Sequence, residues 1–276
     1  MCILFIYRNP DADVRSYRLI IASNRDETYK RPASSAHYWD KYPECLGGID
    51  MEPGKEGGTW LGISVKGKAG IILNLINEDA TDSPKKGRGF LITNFITSND
   101  SIDSYLNKLH EENINGQSYN PYCLVLLNLI NANVHYLSNC TKSTGPIICN
   151  NDIIGIGNSG LNHPYKKVEI GKEEFKNIIQ DIDISKQDDL IEKLICFLKS
   201  KKKYLPDAEL QKRHPAIYKE LSSIFVSGKE YGTRTHSLLL LDGSNHITFV
   251  EETLMPDFTW KRQQFQDEIL CDNMHM

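Results

Sequence analysis

The sequence predicts an α+β fold built in layers, with two antiparallel sheets stacked face to face and helices outside them. Three observations carry this. Strand-like runs fall at both ends of the chain, helical patterns collect mainly between them, and several strands come as hairpins. Strands from distant parts of the chain must then share a sheet. Regular strand–helix alternation is missing, and so is G-x-G-x-x-G after a strand, which argues against a dinucleotide-binding fold. The 276 residues suffice for one large domain over 1–276 and are short for two full ones.

Strands are predicted at Cys2–Tyr7, Tyr17–Ser23, Trp60–Val65 and Ala69–Asn74, where β-branched and aromatic residues cluster in short runs. More follow at Tyr122–Asn128, Asn133–Leu137, Ile153–Gly157, His236–Leu241 and His246–Glu251. "VKGKAG" and "LDGSNH" supply the turn residues of two hairpins, the second through Asp242-Gly243. A helix opens on Ser101 as N-cap, with Tyr105, Leu106 and Leu109 following. "KEEFKNIIQDI" sets Phe175, Ile178, Ile179 and Ile182 on one face. "DDLIEKLICFLKS" repeats Leu190, Ile191, Leu194, Ile195 and Leu198 as a core-facing stripe, and "GRGFLITNFI" from Gly87 reads as another helix. "EPGKEGG" and "LNHPYKK" read as loops.

Composition excludes several classes. Apolar residues make 40% and charged residues 25% of the chain, and the net charge is −4, so nucleic acid is not the expected partner. The dense basic run, Lys199–Lys203, suits a solvated helix end; contact with an anionic membrane surface is its minority reading. The seven cysteines (Cys2, Cys45, Cys123, Cys140, Cys149, Cys196 and Cys271) show irregular spacing and no C-x-x-C, which fits a reducing compartment. No stretch approaches a membrane span or a signal peptide, and a cytosolic protein is expected. The eight histidines form no metal-binding pattern, so no metal is predicted. His163 alone lies near the candidate site as a ligand or gate, and Trp39, Trp60 and Trp260 read as core or rim aromatics.

Two stretches raise chemistry. Cys2 directly follows the initiator methionine. It is either a small apolar residue opening a buried strand or, once Met1 is removed, a nucleophile and base in one residue. In "LIIASNRDETYKRP" a strand runs into Asn24-Arg25-Asp26-Glu27. Such a quartet at a strand end is either a turn with an ion-pair network or a mounted site, with Arg25 pairing Asp26 or a neighbouring carboxylate.

"MCILF", "ASNRDE.Y.RP", "GGIDME.GKEGGTWLGIS..GK", "GRG", "GNS" and "YGTRT" resemble, in that order, the NRDE-motif family. The resemblance runs from Met1 to the closing "FTW" region. Asn24–Glu27 together with Gly57–Gly62 and Tyr231–Thr235 make it specific. It implies an N-terminal-nucleophile-hydrolase-like fold, a four-layer αββα sandwich. The cysteine branch of that superfamily, penicillin and bile-salt amidases among it, begins Met-Cys and carries an Arg–Asp pair on the next strand. By that likeness Cys2 is the nucleophile, and Arg25 and Asp26 stand beside it. Asn74 helps form an oxyanion hole, Asn158 positions substrate, and Arg234 faces the site. Those amidases space the Arg and Asp apart, whereas here they are adjacent, so Glu27 or Asn24 can share the role of Asp26. The family further implies secretory-pathway and Golgi organisation, haem mobilisation, and lipid and mitochondrial homeostasis. No cofactor is required, haem is a candidate cargo, and small hydrophobic or acyl ligands are the expected partners, with peripheral organelle-membrane contact. An active cysteine amidohydrolase or acyltransferase is the alternative. In that case the α-amine, with an ordinary pKa near ~8, serves as base for its own thiol.

Overall fold

The computed structural model describes residues 1–75, 85–116, 118–140, 145–180 and 182–270. Cys271 and His275 lie outside them. The chain divides into two units. One holds Met1–Arg31, Asn151–Ser244 and Thr248–Phe265. The other holds the described residues of Pro32–Asn150, Asn245–Ile247 and those from Gln266 on.

The first unit carries β1 (Ile3–Arg8), β2 (Tyr17–Thr28), β10 (Ile153–Gly157), β11 (Tyr231–Asp242) and most of β12 (His246–Leu254) and β13 (Trp260–Glu268). They form a six-stranded sheet in the order β10-β1-β2-β11-β12-β13. Antiparallel pairing joins β1 to both β10 and β2, and β2 to β11. Strands more than a hundred residues apart in sequence thus share one sheet, as the distribution of hairpins required.

Helices α3 (Lys166–Ile179) and α4 (Gln187–Leu198) lie on this sheet, and the short α5 (Ala208–Arg213) and α6 (Tyr218–Leu221) complete the unit. Alternate strand residues Ile3, Phe5, Ile20, Ala22, Leu238 and Leu240 join Val168, Phe175, Leu190, Leu194 and Leu198 in one buried cluster. Full burial of one such side chain stabilises by about 1.5–3 kcal/mol. Phe5 stacks on Phe175 at 5.7 Å and tilts against Phe197 at 5.1 Å. Gly171 lets α3 approach that closely, because a Cβ there would lie 2.7 Å from the Phe5 ring.

The second unit holds β3 (Ala33–Trp39), β4 (Tyr42–Asp50), β5 (Leu61–Ser64), β6 (Lys68–Asn74), β7 (Tyr122–Asn128), β8 (Asn133–Ser138) and β9 (Ile147–Cys149). These form a seven-stranded antiparallel sheet in sequence order. Helix α1 (Phe90–Ile96) lies on β5 and β6, and α2 (Ile102–Asn115) on β7 and β8. Ser101 caps α2 as expected, its hydroxyl accepting from the Ser104 N–H at 3.2 Å. Gly67, at φ 91°, makes the β5–β6 turn within "VKGKAG".

Several expectations need correcting. Strand β2 does not stop at Ser23 but continues to Thr28, so Asn24–Glu27 lie inside a strand rather than in a turn at its end. β11 starts at Tyr231 rather than His236 and runs opposite them, Tyr231 facing Thr28 and Thr233 facing Asp26. Each polar side chain is partnered, which is why a central strand tolerates them. "LNHPYKK" is not wholly loop, since Lys166 and Lys167 open α3. The expected helix over "KEEFKNIIQDI" ends at Ile179, and the one from Gly87 begins at Phe90. Strands β3, β4, β9 and β13 carried too little alternation to be foreseen.

Candidate active site

Strand register sets the site. Ile3 pairs with Asn24 on one side and Gly157 on the other. The preceding residue, Cys2, therefore meets Arg25–Asp26 of β2 and the end of β10, where Asn158 follows. The Cys2 sulfur accepts the Asp26 backbone N–H at 3.4 Å, and its S–H donates to the Asp26 carbonyl at 3.7 Å. Asn158 itself is buried.

The Asp26 side chain serves the other half of the site. Its Oδ2 lies 2.9 Å from the α-amine of Met1, which also donates to the Tyr231 hydroxyl. Thr233 Oγ1 donates to Asp26 Oδ1 at 2.6 Å and accepts the Val226 N–H at 2.9 Å. Tyr231 Oη donates to the Asp26 carbonyl at 3.3 Å. One residue thus grips the thiol with its backbone and the chain's amine with its carboxylate.

Lys167 stands on the same side. It is 1% exposed, and its Nζ donates to the Met1 carbonyl at 3.4 Å and the Ser223 carbonyl at 3.1 Å. It reaches the site from the first turn of α3, whose Lys166 N–H donates to Asp207 Oδ2 at 2.7 Å.

Burial governs the ionisation of this cluster. It lowers the Met1 amine below its ordinary value, against the opposing pull of Asp26. Burial raises the Cys2 thiol, against the nearby amine, and lowers the Lys167 ammonium. The Tyr231 phenol is raised by burial and then by Cys2 and Asp26. Burial thus works against the charged form of both the amine and the thiol.

Adjacent residues of a strand face opposite ways, so Arg25 and Asp26 cannot serve one face together. Arg25 pairs instead with Glu27 at 4.0 Å, and Arg31 approaches the same carboxylate at 3.9 Å. Arg234 sits at a register shift of β11 and donates to the carbonyls of Thr28, at 3.3 Å, and Arg31. It clamps the turn after β2. Asn24 shares the Asp26 side. Its Nδ2 donates to the Leu198 and Ile224 carbonyls at 2.8 and 3.0 Å, and its Oδ1 meets His236 Nδ1 at 2.7 Å. With both amide hydrogens spent, Oδ1 must accept, so His236 carries its proton on Nδ1. His236 is fully buried and stacks on Trp260 at 4.6 Å, and Nε2 has no hydrogen-bond partner among the described residues. Asn24 is therefore a tie between strand and helices, not a group at the sulfur.

Of the other expected residues, Asn74 ends β6 opposite Tyr122 in the second unit and is exposed. His163 is exposed in the loop before α3. Trp39 is buried, while Trp60 and Trp260 are half-buried.

The family model for Transport and Golgi organisation 2 matches residues 1–256. The chain belongs to that family. It is 35% identical over 264 residues to the human Transport and Golgi organization protein 2 homolog, covering 92% of this chain and 94% of that protein. The Drosophila melanogaster Transport and Golgi organization protein 2 is 34% identical over 280 residues, covering 97% and 98%. Among solved structures, the Caenorhabditis elegans ortholog of N-acylethanolamine-hydrolyzing acid amidase aligns with a TM-score of 0.51 at 8% identity, over 87% of this chain and 92% of that one. That likeness is one of fold. The expected class holds: antiparallel sheets flanked by helices, N-terminal-nucleophile-hydrolase-like. Among the described residues no helix is long and apolar enough to cross a membrane.

Sequence reasoning missed Lys167, Tyr231 and Thr233 as members of the cluster around the N-terminus. Tyr231 and Thr233 stood in the quoted "YGTRT" without a role. Lys167 did leave a signal, because two lysines in the first turn of a helix oppose the helix dipole, and a cation placed there needs another reason.

Proposed function

We propose that this member of the Transport and Golgi organisation 2 family handles an amide- or thioester-linked acyl ligand on Cys2, once Met1 has been removed. The observation that supports the reading is the double grip of Asp26, with its N–H at 3.4 Å from the sulfur and its carboxylate at 2.9 Å from the amine. Loss of Met1 transfers the free amine to Cys2 and leaves Asp26 to orient it. The amine then accepts the thiol proton, and the thiolate attacks the acyl carbon. Arg25 favours the thiolate and Asn158 is the proposed substrate-positioning residue; an oxyanion donor, the part expected of Asn74 from the sequence, contributes about 3 kcal/mol in the transition state of such a reaction. No cofactor takes part. The setting proposed is cytoplasmic, at Golgi or mitochondrial surfaces.

The test is intact mass of the purified protein, to see whether Cys2 is the first residue, followed by labelling with a thiol-directed acylating probe. Labelling lost in Cys2→Ala supports the reading; retained Met1, or labelling unchanged in Cys2→Ala, ends it.

Family membership favours a second reading, in which the fold carries cargo without turning it over. Lipid and haem are the proposed cargoes, in the service of secretory-pathway, lipid and mitochondrial homeostasis. Titration with haem and with a long-chain acyl thioester tests it: saturable binding that survives Cys2→Ala supports a carrier, and no saturation with either ligand removes it.

A further inference from the structure

Met1 occupies space that the processed chain leaves open. Its side chain is 6% exposed and belongs to the apolar cluster with Ile3, Tyr165, Val168, Leu221 and Ile224. Its carbonyl oxygen rests on the buried Lys167 Nζ at 3.4 Å. Among the described residues its one other acceptor is the Ser223 carbonyl, at 3.1 Å. A buried ammonium stripped of an acceptor is costly, so the departure of Met1 creates a demand for an oxygen at that point. The same departure opens an apolar niche of methionine size behind it.

The amine position is not free for a ligand. Asp26 Oδ2 passes to the new α-amine of Cys2, and its Oδ1 already accepts from Thr233, so no further amine is held there. What fits is the remainder of Met1, a carbonyl oxygen with an unbranched apolar chain, about six atoms from carbonyl carbon to terminal methyl. The carbonyl of Met1 is bonded to the Cys2 nitrogen, so a group seated nearby presents its acyl carbon to the thiol of the same residue.

We infer that the place vacated by Met1 is an acyl subsite, in which Lys167 holds the acyl oxygen and the niche selects an unbranched chain of hexanoyl size. This rests on the reading of Cys2 as an N-terminal nucleophile and names its substrate class. The thiol gives its proton to the α-amine, and a sulfur lone pair forms the bond to the acyl carbon. The carbon–nitrogen or carbon–sulfur bond of the donor breaks, and the departing amine or thiol takes the proton from the α-ammonium. Water then cleaves the thioester, releasing a carboxylic acid and restoring the thiol.

The test uses the full chain with Met1 loss confirmed by mass. Acetyl, hexanoyl and myristoyl thioesters of N-acetylcysteamine are compared by the rate at which Cys2 gains the acyl mass. The hexanoyl donor is expected to react at least about tenfold faster than either neighbour, as a shaped apolar pocket discriminates. Lys167→Met is expected to slow it at least about tenfold through loss of the oxygen's partner. Hexanoate binding to Cys2→Ala, read as a thermal shift, probes the subsite without the nucleophile and should vanish in Cys2→Ala/Lys167→Met. Equal rates for all chain lengths overturn the subsite while leaving the nucleophile standing. Lys167-dependent hexanoate binding with no acylation by any donor keeps the subsite and removes the nucleophile. Neither acylation nor binding overturns both. If Lys167→Met does not fold, the chain-length series on the unaltered protein decides.

Discussion

Acid should unfold this protein partly through one histidine. His236 is fully buried, donates from Nδ1 to Asn24 Oδ1, and stacks on Trp260. Protonation would place a second N–H at Nε2, which has no partner among the described residues, in a low-dielectric site. Burial, and then Lys199, lowers its pKa from 6.5 to about 3. The folded chain therefore keeps His236 neutral where the unfolded chain takes up a proton. Stability from this group is undiminished above pH 6.5 and falls as pH drops, until the folded chain also protonates near pH 3. The loss is about 1.4 kcal/mol per pH unit inside that window, hence about 2 kcal/mol by pH 5 and about 5 kcal/mol in full. Urea denaturation of the unaltered protein and of His236→Gln at pH 7, 6 and 5 reads it. Gln can still donate toward Asn24, and other acidic groups affect both chains alike, so the difference in slope belongs to His236. The unaltered protein should lose about 2 kcal/mol more than the variant between pH 7 and 5. Parallel profiles would refute the assignment of a neutral imidazole bonded through Nδ1 alone.

The remaining predictions concern local geometry. Asn24→Ala leaves two carbonyls and the His236 Nδ1–H without partners and should cost about 3–4 kcal/mol in denaturant unfolding. Gly171→Ala drives a methyl to 2.7 Å from the Phe5 ring and should cost about 1–3 kcal/mol by the same assay, with the α3–β1 approach widened. Phe258 is exposed and holds φ 63° in the β12–β13 turn, so Phe258→Gly should raise stability by about 1 kcal/mol, seen as a higher Tm. Thiol labelling of the native chain should reach the exposed Cys140 and Cys196 in preference to the buried Cys45 and Cys123, as peptide mapping would show.

Much of the fold was legible. Strands that are apolar and buried nearly throughout, such as Tyr122–Asn128, and the amphipathic α4 announced themselves in the local sequence pattern. β2 was legible only to Ser23. Polar residues normally end a buried strand, and only β11, lying two hundred residues downstream, supplies the partners that carry it on to Thr28. β13 reads as mostly polar, with only Trp260 and Phe265 apolar, because it is an edge strand without a fully buried residue.

The sequence by itself singled out part of the N-terminal cluster: a cysteine after methionine and the Asn24–Glu27 quartet, with "YGTRT" marked only by the family resemblance and given no role. The first two stand out from their surroundings, a thiol at the chain's start and a polar quartet in an apolar strand. Only the tertiary structure decided how the work is divided. Strand alternation splits Arg25 from Asp26, the register of β1 on β2 brings the sulfur to the Asp26 N–H, and the docking of α3 delivers Lys167 to the first carbonyl of the chain. The reason is physical. Which face a side chain takes and which buried charge it meets depend on pairing between segments far apart in sequence, and no local pattern encodes that distance.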